Sequence, residues 1–127
     1  MRNKNQKGFT FIELLVSVTI VAVMMSVAAV SYSNVNKRSR DSKRRADLET
    51  IRSALEICRA NTGTYPASIT GSITCSDSAV TLATTPDDPL NTGVHIYVYS
   101  RPTTTTYTIT AELEQPTDPT TYTLTNP

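Results

Sequence analysis

The chain has 127 residues, with 12 Lys+Arg, 11 Asp+Glu, one His, two Cys and no Trp. That length predicts one folded domain, and a net charge of +1 excludes a uniformly basic nucleic-acid binder and a strongly acidic disordered chain. The 39% apolar content is ordinary for a soluble protein, yet charge, Gly and Pro are placed so unevenly that these averages describe no part of the molecule.

Residues 1–8 are short, polar and basic, with Arg2, Lys4 and Lys7. An apolar run then begins abruptly. Over residues 9–30 the polar members are only Thr10, Glu13, Ser17, Thr19 and Ser26, and no charge follows Glu13 until Lys37. About 20 apolar residues suffice for a helix to cross a bilayer, so this segment is long enough to span one. Neither Gly nor Pro occurs from Phe9 to Thr62, so nothing forces a helix to stop before Gly63 and Pro66. At about 1.5 Å per residue such a helix is roughly 80 Å long, more than a bilayer needs.

The second half of that helix has a different pattern. Residues 37–59 carry eight bases and four acids. Leu48, Ile51, Leu55 and Cys58 follow a spacing of three, four and three, which makes one apolar stripe. Arg45–Glu49 and Arg52–Glu56 are expected as i,i+4 pairs on the solvated side. The first half therefore wants lipid or other helices, and the second half wants a small domain against its stripe.

Residues 60–127 hold all seven Pro and only one base, Arg101, against Asp77, Asp87, Asp88, Glu112, Glu114 and Asp118. Residues 94–101 alternate Val94, Ile96 and Val98 against His95, Tyr97 and Tyr99, which predicts a strand. Residues 107–113 predict a second strand, with 102–106 as the hairpin connection, and 122–124 a short third strand at the edge. Residues 67–91 read as mostly loop, with one short element of open type near 80–83. The fold class expected is α+β, a long N-terminal helix packed on a small C-terminal antiparallel sheet. The boundaries fall at 1–8 for the leader, 9–36 for the span, 37–62 for the amphipathic half and 63–127 for the head.

The run Lys7-Gly8-Phe9-Thr10-Phe11-Ile12-Glu13 followed by Leu14, Leu15 and Val16 resembles the class III signal of type IV prepilins and of type II secretion pseudopilins. The Lys-Gly pair, the aromatic and the Glu at the fifth position after Gly8 carry the resemblance. The resemblance implies the lollipop fold of that family and cleavage between Gly8 and Phe9 by a membrane prepilin peptidase, with methylation of the new Phe9 amine. The residues themselves suggest no enzyme and no cofactor: His95 lacks a convincing nucleophile partner, and neither a phosphate-cradling loop nor a metal-ligand spacing is present. Removal of residues 1–8 leaves 119 residues, with nine bases against eleven acids. Gly63-Thr64-Tyr65-Pro66 and Asp88-Pro89-Leu90-Asn91, followed by Tyr97 and Tyr99, look like the major pseudopilin branch. The plainer reading has Pro66 and Pro89 punctuating loops and Tyr65 filling the interface between sheet and helix.

Glu13 has a physical reading of its own. A carboxylate inside a membrane span is costly and is functional by default. A new amine at Phe9 can neutralise the carboxylate of a neighbouring copy and set the register of side-by-side helices, the role the family resemblance implies. The blander alternative is a carboxylate favoured by the helix dipole at the headgroups. Calcium, which the pseudopilin branch often binds near its C-terminus, is not expected here. Residues 113–127 offer only Glu114 and Asp118, and hard cations want six to eight oxygens. Asp87 and Asp88 are a second weak candidate, read as a solvated turn.

Cys58 and Cys75 are expected to bridge if the head lies in an oxidising compartment; the alternative is two separate small core residues. The run 37–45 is read as a solvated helix face, with DNA binding as the lesser alternative. Six bases after the span against three before it would place the head in the cytoplasm by the positive-inside rule. The leader and the Cys pair argue the opposite and are given more weight. The reading is a structural subunit. It first crosses the cytoplasmic membrane once, and then an assembly platform and its ATPase build it into a homo-oligomeric filament outside the cell or in the periplasm. A short secretion or competence pseudopilus is the alternative within the family. A single-pass anchored module for adhesion or DNA capture is the alternative outside it.

Overall fold

The computed structural model describes residues 8–115 and 119–127. Most of the leader therefore lies outside the described residues, as do Pro116 and the cation candidate Asp118. The chain divides into two compact units with the boundary between Asn36 and Lys37.

Helix α1 runs over Phe11–Thr62. It starts two residues later than the apolar pattern alone predicts, because Thr10 takes the cap. The Thr10 Oγ1 accepts the Glu13 N–H at 3.3 Å, and the Thr10 carbonyl accepts the Leu14 N–H at 3.2 Å. The helix ends where Gly63 predicts. Gly63 adopts φ +75°, open to a residue without Cβ, and its N–H reaches the Arg59 carbonyl at 2.9 Å.

In the first unit every described residue through Val35 is exposed, including Phe11, Leu14, Val18 and Met24. Three hydroxyls of this segment are satisfied within the helix. Ser17 donates to the Glu13 carbonyl at 2.7 Å, Thr19 to the Val16 carbonyl at 2.8 Å and Ser26 to the Ala22 carbonyl at 2.9 Å. A surface that is apolar on every side over residues 14–30, with Ser17, Thr19 and Ser26 bonded to the backbone, suits hydrocarbon or other helices and not water.

The second unit holds the core. Strands β1 (Ile73–Thr74) and β2 (Val80–Leu82) form a small antiparallel pair. Strands β3 (Val98–Thr103), β4 (Thr106–Glu112) and β5 (Thr121–Thr125) form a three-stranded antiparallel meander in that order. The central strand β4 alternates strictly, so Tyr107, Ile109 and Ala111 turn inward. They join Leu48, Ile51, Leu55 and Cys58 of α1 in one core, with Leu124 of β5 opposite Ile109. Each fully buried Leu or Ile contributes about 1.5–3 kcal/mol.

Two local expectations are corrected. Residues 94–97 are not strand, because the chain doubles back at a Thr92–His95 bridge next to Gly93, whose φ is +59°. At its other end β3 runs on through Pro102, tolerated because β3 is an edge strand whose register shifts there. Residues 67–91 are mostly loop as expected; the short element expected near 80–83 is strand β2, and β1 pairs with it.

Candidate functional site

Two places concentrate chemistry that the core does not explain. The first is the start of α1. Gly8 and Phe9 precede the helix and are exposed, Phe9 at 83%. Glu13 lies in the first turn, three residues after the Thr10 cap, where the unsatisfied N–H groups and the dipole favour a carboxylate. Thr10 was not singled out from the sequence, although the spacing Thr-x-x-Glu is the signal for such a cap.

The second is a buried ionic cluster in the second unit. The run read as a solvated face is in part an interior one. Arg44 is completely buried, and Asp41 is 6% exposed. The Arg44 Nε donates to Asp88 Oδ2 at 2.6 Å and its Nη2 to Asp88 Oδ1 at 3.0 Å, a bidentate fork. Its Nη1 donates to Asp41 Oδ1 at 2.7 Å and to Glu114 Oε1 at 2.8 Å. Arg40 also holds Glu114, with Nε 2.7 Å from Oε1. Asp41 in turn accepts the N–H groups of Glu114 and Gln115, each at 2.9 Å. Asp88 accepts the N–H of Leu90 at 2.9 Å.

Asp88 is thus not in a solvated turn, and this corrects the sequence reading: it is 4% exposed, because Arg44 draws it in. Counting back from Leu48 by the same four-and-three spacing lands on Arg44 and Asp41. The stripe therefore continues into charge, a signal that a search for apolar residues alone overlooks. The electrostatics follow from the pairing. The Arg40 hydrogen bond outweighs burial and holds the Glu114 carboxyl at about 2. For Asp88, burial pushes the carboxyl up, but the Arg44 hydrogen bond and the Leu90 N–H together hold it below its ordinary value. Neither oxygen pair is open to a cation, and among the described residues no group of His, Cys, Asp and Glu is disposed to hold a metal ion.

The tyrosines form a second polar layer beside this cluster. Tyr97 donates to Asp47 at 2.8 Å, and Tyr99 to the Pro66 carbonyl at 2.8 Å. Tyr65 and Tyr107 pack edge to face with ring centroids 4.7 Å apart, and both hydroxyls reach Glu56. Burial pushes the Tyr99 phenol up to about 12. The expected helix pairs are replaced accordingly. Arg52 lies 3.7 Å from Glu49, Arg45 stacks over the Tyr122 ring, and Glu56 serves the tyrosines. Cys58 and Cys75 are joined by a disulfide that ties the segment around β1 to the helix. His95 sits with Nδ1 3.4 Å from the Glu112 carbonyl.

Residues 3–29 match the family described as the prokaryotic N-terminal methylation motif. The chain is 38% identical over 53 residues to the type IV major fimbrial protein FimA of Dichelobacter nodosus, covering 42% of this chain and 34% of that protein. It is 32% identical over 78 residues to the type IV major pilin protein PilE of Neisseria gonorrhoeae, covering 61% of this chain and 47% of that protein. The matches thus span between a third and a half of the length of these relatives. No solved structure matches the chain significantly. A methylation-motif N-terminus, a long helix and a small antiparallel sheet thus occur in one chain, which is similar in sequence over part of its length to type IV pilins.

Proposed function

We propose that the chain is a non-catalytic structural subunit of a type IV pilus-like filament. One observation carries the reading. Over the residues that match the methylation motif, α1 presents an apolar surface on every side, with Glu13 as the single carboxylate of that segment. Lipid covers such a surface in a single-pass membrane form, and the equivalent helices of other copies cover it in a filament. Cleavage between Gly8 and Phe9 by a prepilin peptidase removes the basic leader and leaves the span intact. The methylated Phe9 amine of one copy then meets the Glu13 carboxylate of another. A lone carboxylate in a filament interior is costly, so subunits stack in the one register that pairs it. An assembly platform and its ATPase move subunits from the cytoplasmic membrane into the filament, and the second unit forms the outer surface. Mass spectrometry of the N-terminus tests this. A methylated Phe9 is expected, and a chain retaining Met1 in assembled material would refute it.

A further inference from the structure

Five of the eight bases between residues 37 and 59 are engaged inside the second unit. Arg40 and Arg44 hold carboxylates, Lys43 pairs with Asp47 at 2.9 Å, Arg52 with Glu49 at 3.7 Å, and Arg59 donates to the Gly63 carbonyl at 2.6 Å. Lys37, Arg38 and Arg45 are left, none with a carboxylate partner among the described residues. Arg38, Ser42 and Arg45 follow a spacing of four and three, so they share one stripe of the helix. All three are exposed and line one open recess of about 270 Å³, together with Asp41, Leu113 and Gln115.

The recess is set up for an anion. Among the described residues its one lining carboxylate is Asp41, already used by Arg44 and by two backbone N–H groups. The Tyr122 ring lies 5.0 Å below the Arg45 guanidinium, which orients that group by one face and leaves its N–H edge free. Two arginines and a serine lining one space supply N–H and O–H donors of the kind a phosphate's oxygens accept. Lys37 and Arg38 follow Val35, the last apolar residue of the exposed segment, by two and three positions. A membrane that holds that segment therefore presents its headgroups to these bases at high local concentration. A second copy offers less. Among the described residues of the second unit Glu49, Glu56 and Glu112 already accept hydroxyls and Asp77 accepts the Ala79 N–H, which leaves Asp87 as the exposed carboxylate with no such bond.

We infer that Arg38, Ser42 and Arg45 form a phosphate-binding recess that holds the headgroup of an anionic phospholipid while the chain is in the membrane. This rests on the membrane-spanning part of the proposed function but on neither cleavage nor polymerisation. Binding is accordingly read on the unassembled full chain in zwitterionic micelles, so its failure is distinguishable from failure of the filament reading. Arginine side-chain NMR signals are followed while short-chain phosphatidylglycerol, short-chain phosphatidylcholine or inorganic phosphate is added. Phosphatidylglycerol should shift the Arg38 and Arg45 signals saturably, at concentrations where the other two have little effect. Arg38→Gln with Arg45→Gln should weaken binding about 30-fold and Arg38→Gln alone about fivefold. Lys43→Gln, whose charge is already paired, should leave binding unchanged. Equal responses to phosphatidylglycerol and phosphatidylcholine would overturn the inference. So would inorganic phosphate matching the lipid, full binding by Arg38→Gln, or competition by a second copy's acidic segment that is stronger than the lipid.

Discussion

Asp88→Ala is the most informative single change in the second unit. It removes both acceptors of the Arg44 Nε and Nη2 hydrogens and the acceptor of the Leu90 N–H. Arg44 is completely buried, so water cannot replace the lost carboxylate without opening the core. Breaking a buried pair from one side costs about 3–5 kcal/mol. The Arg44 Nη1 keeps Asp41 and Glu114, which places the expected loss near the lower end, about 3 kcal/mol. For a unit of this size that lowers the thermal midpoint by at least about 12 °C. The neighbouring Asp87→Ala is the internal control, because Asp87 is exposed, and it should stay within about 0.5 kcal/mol. Arg44→Met with Asp88→Leu should recover much of the loss, since an ion pair exchanged for apolar groups of similar size is often neutral. The assay is urea and thermal unfolding of the full chain in micelles, followed by near-UV circular dichroism of the packed tyrosines. If Asp88→Ala costs no more than Asp87→Ala, the claim that this buried cluster anchors the loop to the helix is wrong.

Three further outcomes follow from the same geometry. The Glu114 carboxyl is held at about 2 in the folded chain against an ordinary 4.5, so its contribution is present above pH 4.5 and lost as the pH falls towards 2. The urea midpoint should decline across that window, and Arg40→Gln should flatten the decline; an identical slope in the variant refutes the Arg40–Glu114 account. Cys58→Ser with Cys75→Ser should cost about 3 kcal/mol in the chain-entropy view, and thiol labelling of the native protein should find no free thiol without reductant. Glu13→Ala and Glu13→Gln should both be processed at Gly8 yet assemble poorly, which surface shear and electron microscopy would show; filaments of normal yield from both would remove Glu13 from assembly.

The features legible in the sequence are those set by neighbours a few residues apart. The absence of Gly and Pro from Phe9 to Thr62 sets the helix length, because a helix needs only local hydrogen bonds to continue. The apolar run, the stripe from Leu48 to Cys58 and the alternation in β4 each declare a face through their own period. What the sequence alone left open is which partner each polar side chain meets. Arg44 is separated from Asp88 by 44 positions and from Glu114 by 70, so no local pattern marks the charged run as interior. The tyrosine side of residues 97–99 packs inward, whereas Val94, Ile96 and Val98 stay at least 44% exposed. Burying the larger rings removes more apolar area from water, and each hydroxyl finds an acceptor on α1 or in the loop at Pro66. Sequence by itself determined the long helix, its change of character and the small sheet beside it. Only the tertiary structure decided which charges became interior, because that choice depends on carboxylates brought in from distant strands and loops to offset the cost of burying Arg44.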